Sequence, residues 1–398
     1  MKIKEIAGRI NVPELGKKYW PFIAIVFIIF LATYARTVNY NYPYLRNVDS
    51  YNFVYEMQQI VDHGHILPYT NLSLAPNGSS KPAGMDLYPY SMAYSFGLLR
   101  LFVPNYSMFE FLVWAPALMI AMAAIPIYFI GKMLYDRRTG VMAAFFVVFN
   151  LAVVSRTMGA DPGRNSAVLL FSFIAIALFL YAYKYVNKNG FSPRGIMLTV
   201  IAGIGLAAWG YTWIGFWYVV WLLAGFIFLK TVIRIAHSRS IAKGIKAEKR
   251  AIMTFIAAMI IFFALTVPVL GTGMITNTVS GPFSFSGIKG EGESAFPNVY
   301  VSVAELQSGG GVVTVIQSSN VMLFLFMIFS LAYLLYLAYK KRDAVHIDTF
   351  LLLLIWFAGP VYASLIGVRF EILFAAPVAL GAAIFISKAF KVLDGEDD

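Results

Sequence analysis

No cysteine occurs in the 398 residues. That excludes a disulfide framework, thiolate metal ligands and thiol chemistry, and leaves the redox compartment open. Charge is scarce as well: Asp, Glu, Lys and Arg make up 13% of the chain, about half of the roughly 25% that keeps a soluble globular domain in water. Segments of about ten residues with alternating polarity, the mark of a membrane barrel, are missing, and no internal repeat is evident.

What is present is apolar sequence: 60% of the residues are hydrophobic and the mean hydropathy is +0.72. Apolar runs close to the length that crosses a hydrocarbon core of roughly 30 Å as a helix are predicted at 19–35, 111–134, 141–154, 166–186, 195–209, 212–233, 252–271, 320–339, 346–366 and 370–390. The expected fold is therefore an all-α polytopic membrane protein with about 10 or more transmembrane helices. The first run is not read as a cleaved signal peptide. It follows a polar stretch of about 18 residues, its core is long, and no small-residue cleavage site comes after it.

Lysine and arginine set the expected sidedness. Lys2, Lys4, Arg9, Lys17 and Lys18 precede the first run, and basic clusters then recur in every second connection: Lys132, Arg137 and Arg138; Lys184, Lys188 and Arg194; residues 230–250; Lys340, Lys341 and Arg342; Lys388 and Lys391. The alternate connections carry Asp49, Glu56, Asp62, Asp86, Asp161, Glu291, Glu293 and Glu305. The alternation predicts a cytoplasmic N-terminus, with an even number of spans returning the C-terminus to the same side. The formal net charge of +11 then reads as basic cytoplasmic loops. A nucleic-acid surface is the competing reading, and nothing else in the sequence supports it.

Two external loops are long, 36–110 and 272–319. Loops of this length are usually functional or disordered. The first is rich in Tyr, Pro and Asn, with enough aromatics to pack on itself or lie on the membrane surface. The second is rich in Gly and Ser, and its composition predicts mobility.

Charges at the edges of membrane helices are rare, and each is weighed between a structural and a functional reading. Asp49, in Asn47-Val48-Asp49-Ser50-Tyr51-Asn52, is a solvated acid or helix cap, or part of a site. Asp161 lies in Ser155-Arg156-Thr157-Met158-Gly159-Ala160-Asp161-Pro162-Gly163-Arg164-Asn165, which is a plain turn with an internal salt bridge, or a second carboxylate on the side of Asp49. Two such acids are able to share a divalent ion of the Mg²⁺ or Mn²⁺ kind, which takes oxygen ligands. Glu305 stands in the apolar strip Val301-Ser302-Val303-Ala304-Glu305-Leu306-Gln307. Arg369 either snorkels, pairs with Glu371, or binds an anionic phosphate. All four segments fall on one predicted face.

In order along the chain these segments resemble the membrane part of the catalytic subunit of oligosaccharyltransferase, above all the archaeal single-subunit enzymes. The resemblance rests on Asn47–Asn52, Lys81-Pro82-Ala83-Gly84 with Leu87-Tyr88-Pro89, Ser155–Asp161, Thr212-Trp213-Ile214-Gly215-Phe216, Ser302-Val303-Ala304-Glu305, and Arg369-Phe370 with Ala376-Pro377. It covers roughly residues 1–390. It implies a GT-C type glycosyltransferase membrane domain over 1–390, with a short polar tail at 391–398.

The implied reaction moves an oligosaccharide from a polyprenyl (dolichyl) phosphate or diphosphate carrier to Asn in Asn-X-Ser/Thr of an acceptor protein or peptide. By the resemblance Asp49 and Asp161 bind the metal, Mg²⁺ or Mn²⁺, and Asp49 and Glu305 act on the acceptor amide. Ser302 shares the acceptor loop with Glu305, Arg369 and Arg156 hold the lipid diphosphate, and Asn165 and Trp213 support the site. The expected location is the cell membrane, with the active site on the external face and no nucleic acid among the partners.

Two departures stand out. The family's acidic pair has its second ligand two residues after the first, where this sequence has Gly163. The shell is thinner, or Asn165 or another loop contributes, or the register shifts by two. The family's soluble acceptor-recognition domain, with its Trp-Trp-Asp-Tyr-Gly motif, is expected to be absent here, so a separate domain is a possible partner. A related enzyme with another acceptor, and a non-catalytic part of a split enzyme, are the alternative readings.

Overall fold

Lipid offers no hydrogen bonds, so a chain crossing it satisfies its backbone internally, and the computed structural model is accordingly a helix bundle. It describes residues 12–70, 77–80, 86–287, 312–341 and 344–395. Among these, nine helices are long and apolar enough to cross a membrane. They are formed by α1 (Val12–Thr37); α4 (Met108–Ala121) running into α5 (Ala124–Leu134); α8 (Asn165–Asn189); α9 (Pro193–Gly210); α10 (Trp217–Ser238), preceded by a 3₁₀ turn Ile214–Phe216; α12 (Lys249–Leu270); α15 (Val321–Lys341); α16 (Ala344–Ile366); and α17 (Ala375–Leu393), which follows the 3₁₀ segment Val368–Phe374. Between α4 and α5 the crossing bends. Pro126 has no N–H for the Met122 carbonyl, which accepts from Ile125 instead at 3.0 Å.

The tenth expected run, 141–154, is not one helix. It is split into α6 (Arg137–Val148) and α7 (Leu151–Ser155) by Asn150, whose side chain caps α7 by accepting from the Ala152 N–H at 3.0 Å. An Asn able to bond its own backbone competes with helix continuation. The freed Val148 carbonyl is taken by the Arg36 guanidinium at 2.5 Å. Even broken, 137–155 spans about 28 Å at helical rise, and it does run from one end of the bundle to the other. At one end Asp136 pairs with Lys391, and at the other Gly159 donates to the Arg36 carbonyl.

Burial divides the helices. α8 and α17 are central, with 78% and 83% of their spans buried, whereas α1, α12 and α15 reach only 22%, 28% and 28% and turn apolar side chains outward. Hydrogen bonds gather the connections into two ends, as the charge alternation predicts. Residues 36–50, 86–88, 156–166 and 211 meet at one end, through bonds such as Arg46 N–H to the Ala160 carbonyl (2.8 Å) and Leu87 N–H to the Tyr211 carbonyl (2.9 Å). Residues 133–139, 183–187, 230–250, 348–349 and 387–394 meet at the other.

The first long loop packs on itself. It contains α2 (Ser50–His63), a two-residue hairpin β1 (Tyr69–Thr70) and β2 (Ser79–Ser80), and α3 (Leu87–Phe102). These share a small core with α4 that includes Met57, Ile60, Tyr88, Met92, Phe96 and Phe111. The second long connection is less loop-like than expected, since its described parts are α13 (Gly273–Gly287) and α14 (Val312–Ser318). Its composition is rich in Gly and Ser, yet α13 buries Met274 against the bundle. Lys81–Gly84, Ser302 and Glu305 lie outside the described residues.

Candidate functional site

The strap 156–165 builds the site at the end of the bundle where α1 stops. Gly159 passes between α1 and α4. A Cβ there would lie 2.6 Å from the Val113 carbonyl and 2.8 Å from that of Arg36, so only glycine lets the strap through. Gly159 N–H donates to the Arg36 carbonyl at 3.1 Å, and Ala160 N–H to Val113 at 3.0 Å. The Arg36 side chain, 2% exposed, fastens the same junction from below. It donates to the Thr157 hydroxyl at 3.2 Å and to the Ala32 carbonyl at 3.1 Å.

Fixed this way, the strap presents Asp161 to the first loop. The Ser50 hydroxyl donates to Asp161 Oδ1 at 2.9 Å. Asp49 directly precedes Ser50 and holds the N-cap position of α2, but its side chain makes no capping bond. It is exposed, and the Asn47 side chain accepts its backbone N–H at 3.1 Å. Asp161, 112 positions along the chain from Asp49, thus contacts the residue that follows Asp49.

Asp161 has no internal salt bridge with Arg164. The Arg164 guanidinium instead pairs with Asp86, the N-cap of α3, and lies over the Phe53 ring at 5.5 Å. Phe53 meets the Tyr88 ring edge-on at 5.4 Å. The Tyr88 hydroxyl, the Arg164 Nε and the Ser166 hydroxyl are all buried with no hydrogen-bond partner among the described residues. Burial raises the Tyr88 pKa well above the ordinary phenol value, and the negative charges of Asp161 and Asp86 raise it further against the opposing Arg164. The hydroxyl stays protonated. It was not among the sequence candidates, although the Leu87-Tyr88-Pro89 motif contains it. Tyr88 and Arg164 thus keep buried hydrogen-bonding capacity near the Asp161 and Asp86 carboxylates, and such unpaired groups in a native structure call for a partner.

Arg156 sits within electrostatic reach of Glu371, whose carboxylate is hydrogen-bonded to Ser318. Its neighbourhood therefore joins the strap, the end of α14 and the 3₁₀ segment before α17. Arg369 lies in that segment, so its backbone belongs to the same end, and its side chain lies outside what is described. The Asn165 amide donates to the Arg156 carbonyl at 3.3 Å, which makes it a brace for the strap. The Trp213 ring packs at a tilt against that of Trp209, with centroids 5.8 Å apart. It also lies over Gly215, where an added Cβ would approach its ring to 2.4 Å.

Among the described residues no three Asp, Glu, His or Cys side chains come together. The oxygen donors on offer for a cation are the Asp49 and Asp161 carboxylates and the Tyr88 hydroxyl. This all-oxygen set, with no nitrogen or sulfur, fits a hard divalent ion. Gly163 leaves a flank open. A Cβ there would stand 3.5 Å from Asp161 Oδ1, an ordinary contact, and would meet nothing else.

The family profile described as "Oligosaccharyl transferase STT3, N-terminal" matches residues 21–394. The dolichyl-phosphooligosaccharide-protein glycotransferase of Methanococcus voltae is 20% identical over 382 residues, which cover 86% of this chain and 41% of that protein. Two solved structures of the Archaeoglobus fulgidus oligosaccharyltransferase share the fold. That of AglB with an inhibitory peptide and a dolichol-phosphate superimposes with a TM-score of 0.67 at 17% identity, over 96% of this chain and 51% of that one. That of the complex with Zn and sulfate gives 0.63 at 16% identity, over 94% and 50%. The chain spans about half the length or less of the relatives it matches.

Proposed function

Because the chain belongs to the oligosaccharyl transferase STT3 family, we propose that it transfers an oligosaccharide from a dolichyl phosphate or diphosphate carrier to the amide nitrogen of Asn in Asn-X-Ser/Thr. The observation that supports this reading is the Ser50–Asp161 hydrogen bond, which holds the strap against the residue that follows Asp49. The relative from Methanococcus voltae bears the corresponding name, and the Archaeoglobus protein was solved with a dolichol-phosphate.

Asp49 and Asp161 would hold a divalent ion, Mg²⁺ or Mn²⁺. The Archaeoglobus complex with Zn and sulfate supports a divalent metal in the family. When bound, the ion would neutralise charge that develops on the leaving phosphate. The remaining work falls to side chains. An amide nitrogen is a poor nucleophile because its lone pair is delocalised into the carbonyl. Carboxylates that accept its two hydrogens, Asp49 from this site and Glu305 from the acceptor loop with Ser302, would twist the amide and free that lone pair. As the bond from the sugar C1 to nitrogen forms, the bond from C1 to the phosphate oxygen breaks, and one amide proton passes to a carboxylate.

Arg156 and Arg369 would hold the phosphates by charge-assisted hydrogen bonds. Tyr88, kept protonated, supplies a neutral donor beside Asp161. Asn165 and Trp213 support the strap and the hairpin that frame the site. The alternation of basic clusters supports an external site and a cytoplasmic N-terminus.

The test uses purified protein, a labelled dolichyl-diphosphate oligosaccharide and an Asn-X-Thr peptide, with Mn²⁺ binding followed separately by electron paramagnetic resonance. Asp49→Ala and Asp161→Asn should each lower transfer by about 10²-fold or more and abolish the bound Mn²⁺ signal. Unchanged transfer and unchanged Mn²⁺ binding in both variants would refute the assignment.

A further inference from the structure

At the opposite end of the bundle a cavity of about 650 Å³ opens between the ends of α5, α8, α10, the short helix α11 (Ile241–Ala247), α12 and α16. That volume falls within the range of small-molecule sites. Its floor is apolar, made by Leu134, Leu180, Phe226 and Leu352. Deep in it Lys230 is held by Asp348 at 2.9 Å and Glu248 at 3.3 Å, so this cation is already neutralised. The rim is different. Lys184, Lys188, Lys246 and Arg250 also line the cavity. Lys184 bonds the Met133 carbonyl and Arg250 the Asn187 carbonyl at 2.9 Å; neither partner carries a charge, and Lys184 also lies within electrostatic reach of Asp348. Lys188 and Lys246 are exposed. Counting Lys230 against Asp348 and Glu248, five cations face two anions. One further group points to the occupant: Asp348 Oδ1 is buried without a hydrogen-bond partner among the described residues, an acceptor in want of a donor.

We propose that this cavity binds the headgroup of an anionic membrane phospholipid that carries hydroxyls. The phosphate meets Lys188 and Lys246 with the help of Lys184 and Arg250, a headgroup hydroxyl donates to Asp348 Oδ1, and the apolar floor receives the start of the acyl or isoprenoid chains. Basic pockets between transmembrane helices hold anionic headgroups in this way. The cavity lies where the ends of the candidate spans meet, the level at which basic pockets take lipid headgroups. It stands at the far end of the bundle from the carboxylate pair and does not depend on the proposed transfer reaction.

The test is native mass spectrometry of the full chain from neutral detergent, titrated with phosphatidylglycerol, phosphatidylcholine or inorganic phosphate. Lys188→Ala/Lys246→Ala is compared with Lys340→Ala/Lys388→Ala, which removes the same charge elsewhere at that end. The expected result is retention of phosphatidylglycerol over phosphatidylcholine, with retention falling at least about fivefold in the cavity variant and unchanged in the control. Equal loss in both variants, or equal retention of the two lipids, overturns the proposal. Binding of inorganic phosphate without retention of phosphatidylglycerol overturns the lipid source and leaves a free-anion site.

Discussion

The two ends of the bundle treat their charges in opposite ways. At the end built on the 156–165 strap, Asp49 is exposed and makes no capping bond, and three buried polar groups around Asp161 have no partner among the described residues. At the far end the interior charges are paired with one another, although Asp348 Oδ1 keeps no hydrogen-bond partner among the described residues. Lys230 bridges Asp348 and Glu248, Tyr183 donates to Asp348 at 2.7 Å, and Arg234 adds a second cation to Glu248 at 3.0 Å. Asp136 accepts from Lys391, Ser387 and the Thr139 N–H. Polar groups that close on each other hold helices together, while polar groups left open beside a cleft are the ones available to a ligand. The sharing of tasks is physical. An unpaired buried group costs stability, and the closed network at one end offsets such a cost at the other.

The largest expected effect comes from opening the closed end. Lys230→Met leaves Asp348 and Glu248 without their common cation in a buried place, and should cost about 3–5 kcal/mol, read as a fall in thermal unfolding temperature in detergent. The triple variant Lys230→Met/Glu248→Gln/Asp348→Asn should recover most of that loss. A triple variant no more stable than the single one would show that the charges were not the cause.

Closing the open end is the next test. Gly163→Asp places a third carboxylate against Asp161 without a clash, and should tighten Mn²⁺ binding by about tenfold, since affinity follows ligand charge. An unchanged affinity would mean that the metal does not sit on that flank of Asp161.

The smallest effect concerns pH. Burial alone would raise the Asp136 pKa, but the bonds from Lys391, Thr139 and Ser387 outweigh it and hold the carboxyl below its usual range. A depressed folded-state pKa means that its contribution is present above the unfolded value of about 3.9 and is lost as pH falls through the folded one. Asp136→Asn should therefore be less stable than the parent at neutral pH, with the gap closing in acid. A gap that persists at low pH would assign the loss to packing.

Much of this was legible in the sequence. Nine of the ten expected runs are long helices, and the tenth fails at Asn150, where a side chain that bonds its own backbone interrupts an otherwise apolar run. Asp49 and Asp161 were placed on one side by loop alternation alone. The second long connection holds α13 and α14 among its described residues, which its Gly and Ser content does not announce. Of the two arginines in the 155–165 segment, Arg164 turns to Asp86 rather than to Asp161, a choice that only the packing of the first loop makes. Tyr88 escaped notice since a tyrosine beside a proline carries no local sign of burial next to two acids.

The sequence by itself determined the membrane-spanning class, the alternation of the loops and the segments that carry chemistry. Transfer into lipid is a sum over neighbouring residues, so it can be read from a window of the chain. Which groups meet was decided only by the packed bundle. Ser50 and Asp161 are 111 positions apart and Lys230 and Asp348 are 118, and no local sum reaches across such distances. Their contacts exist because Gly159 lets the strap pass between α1 and α4, and because α10 and α16 lie side by side.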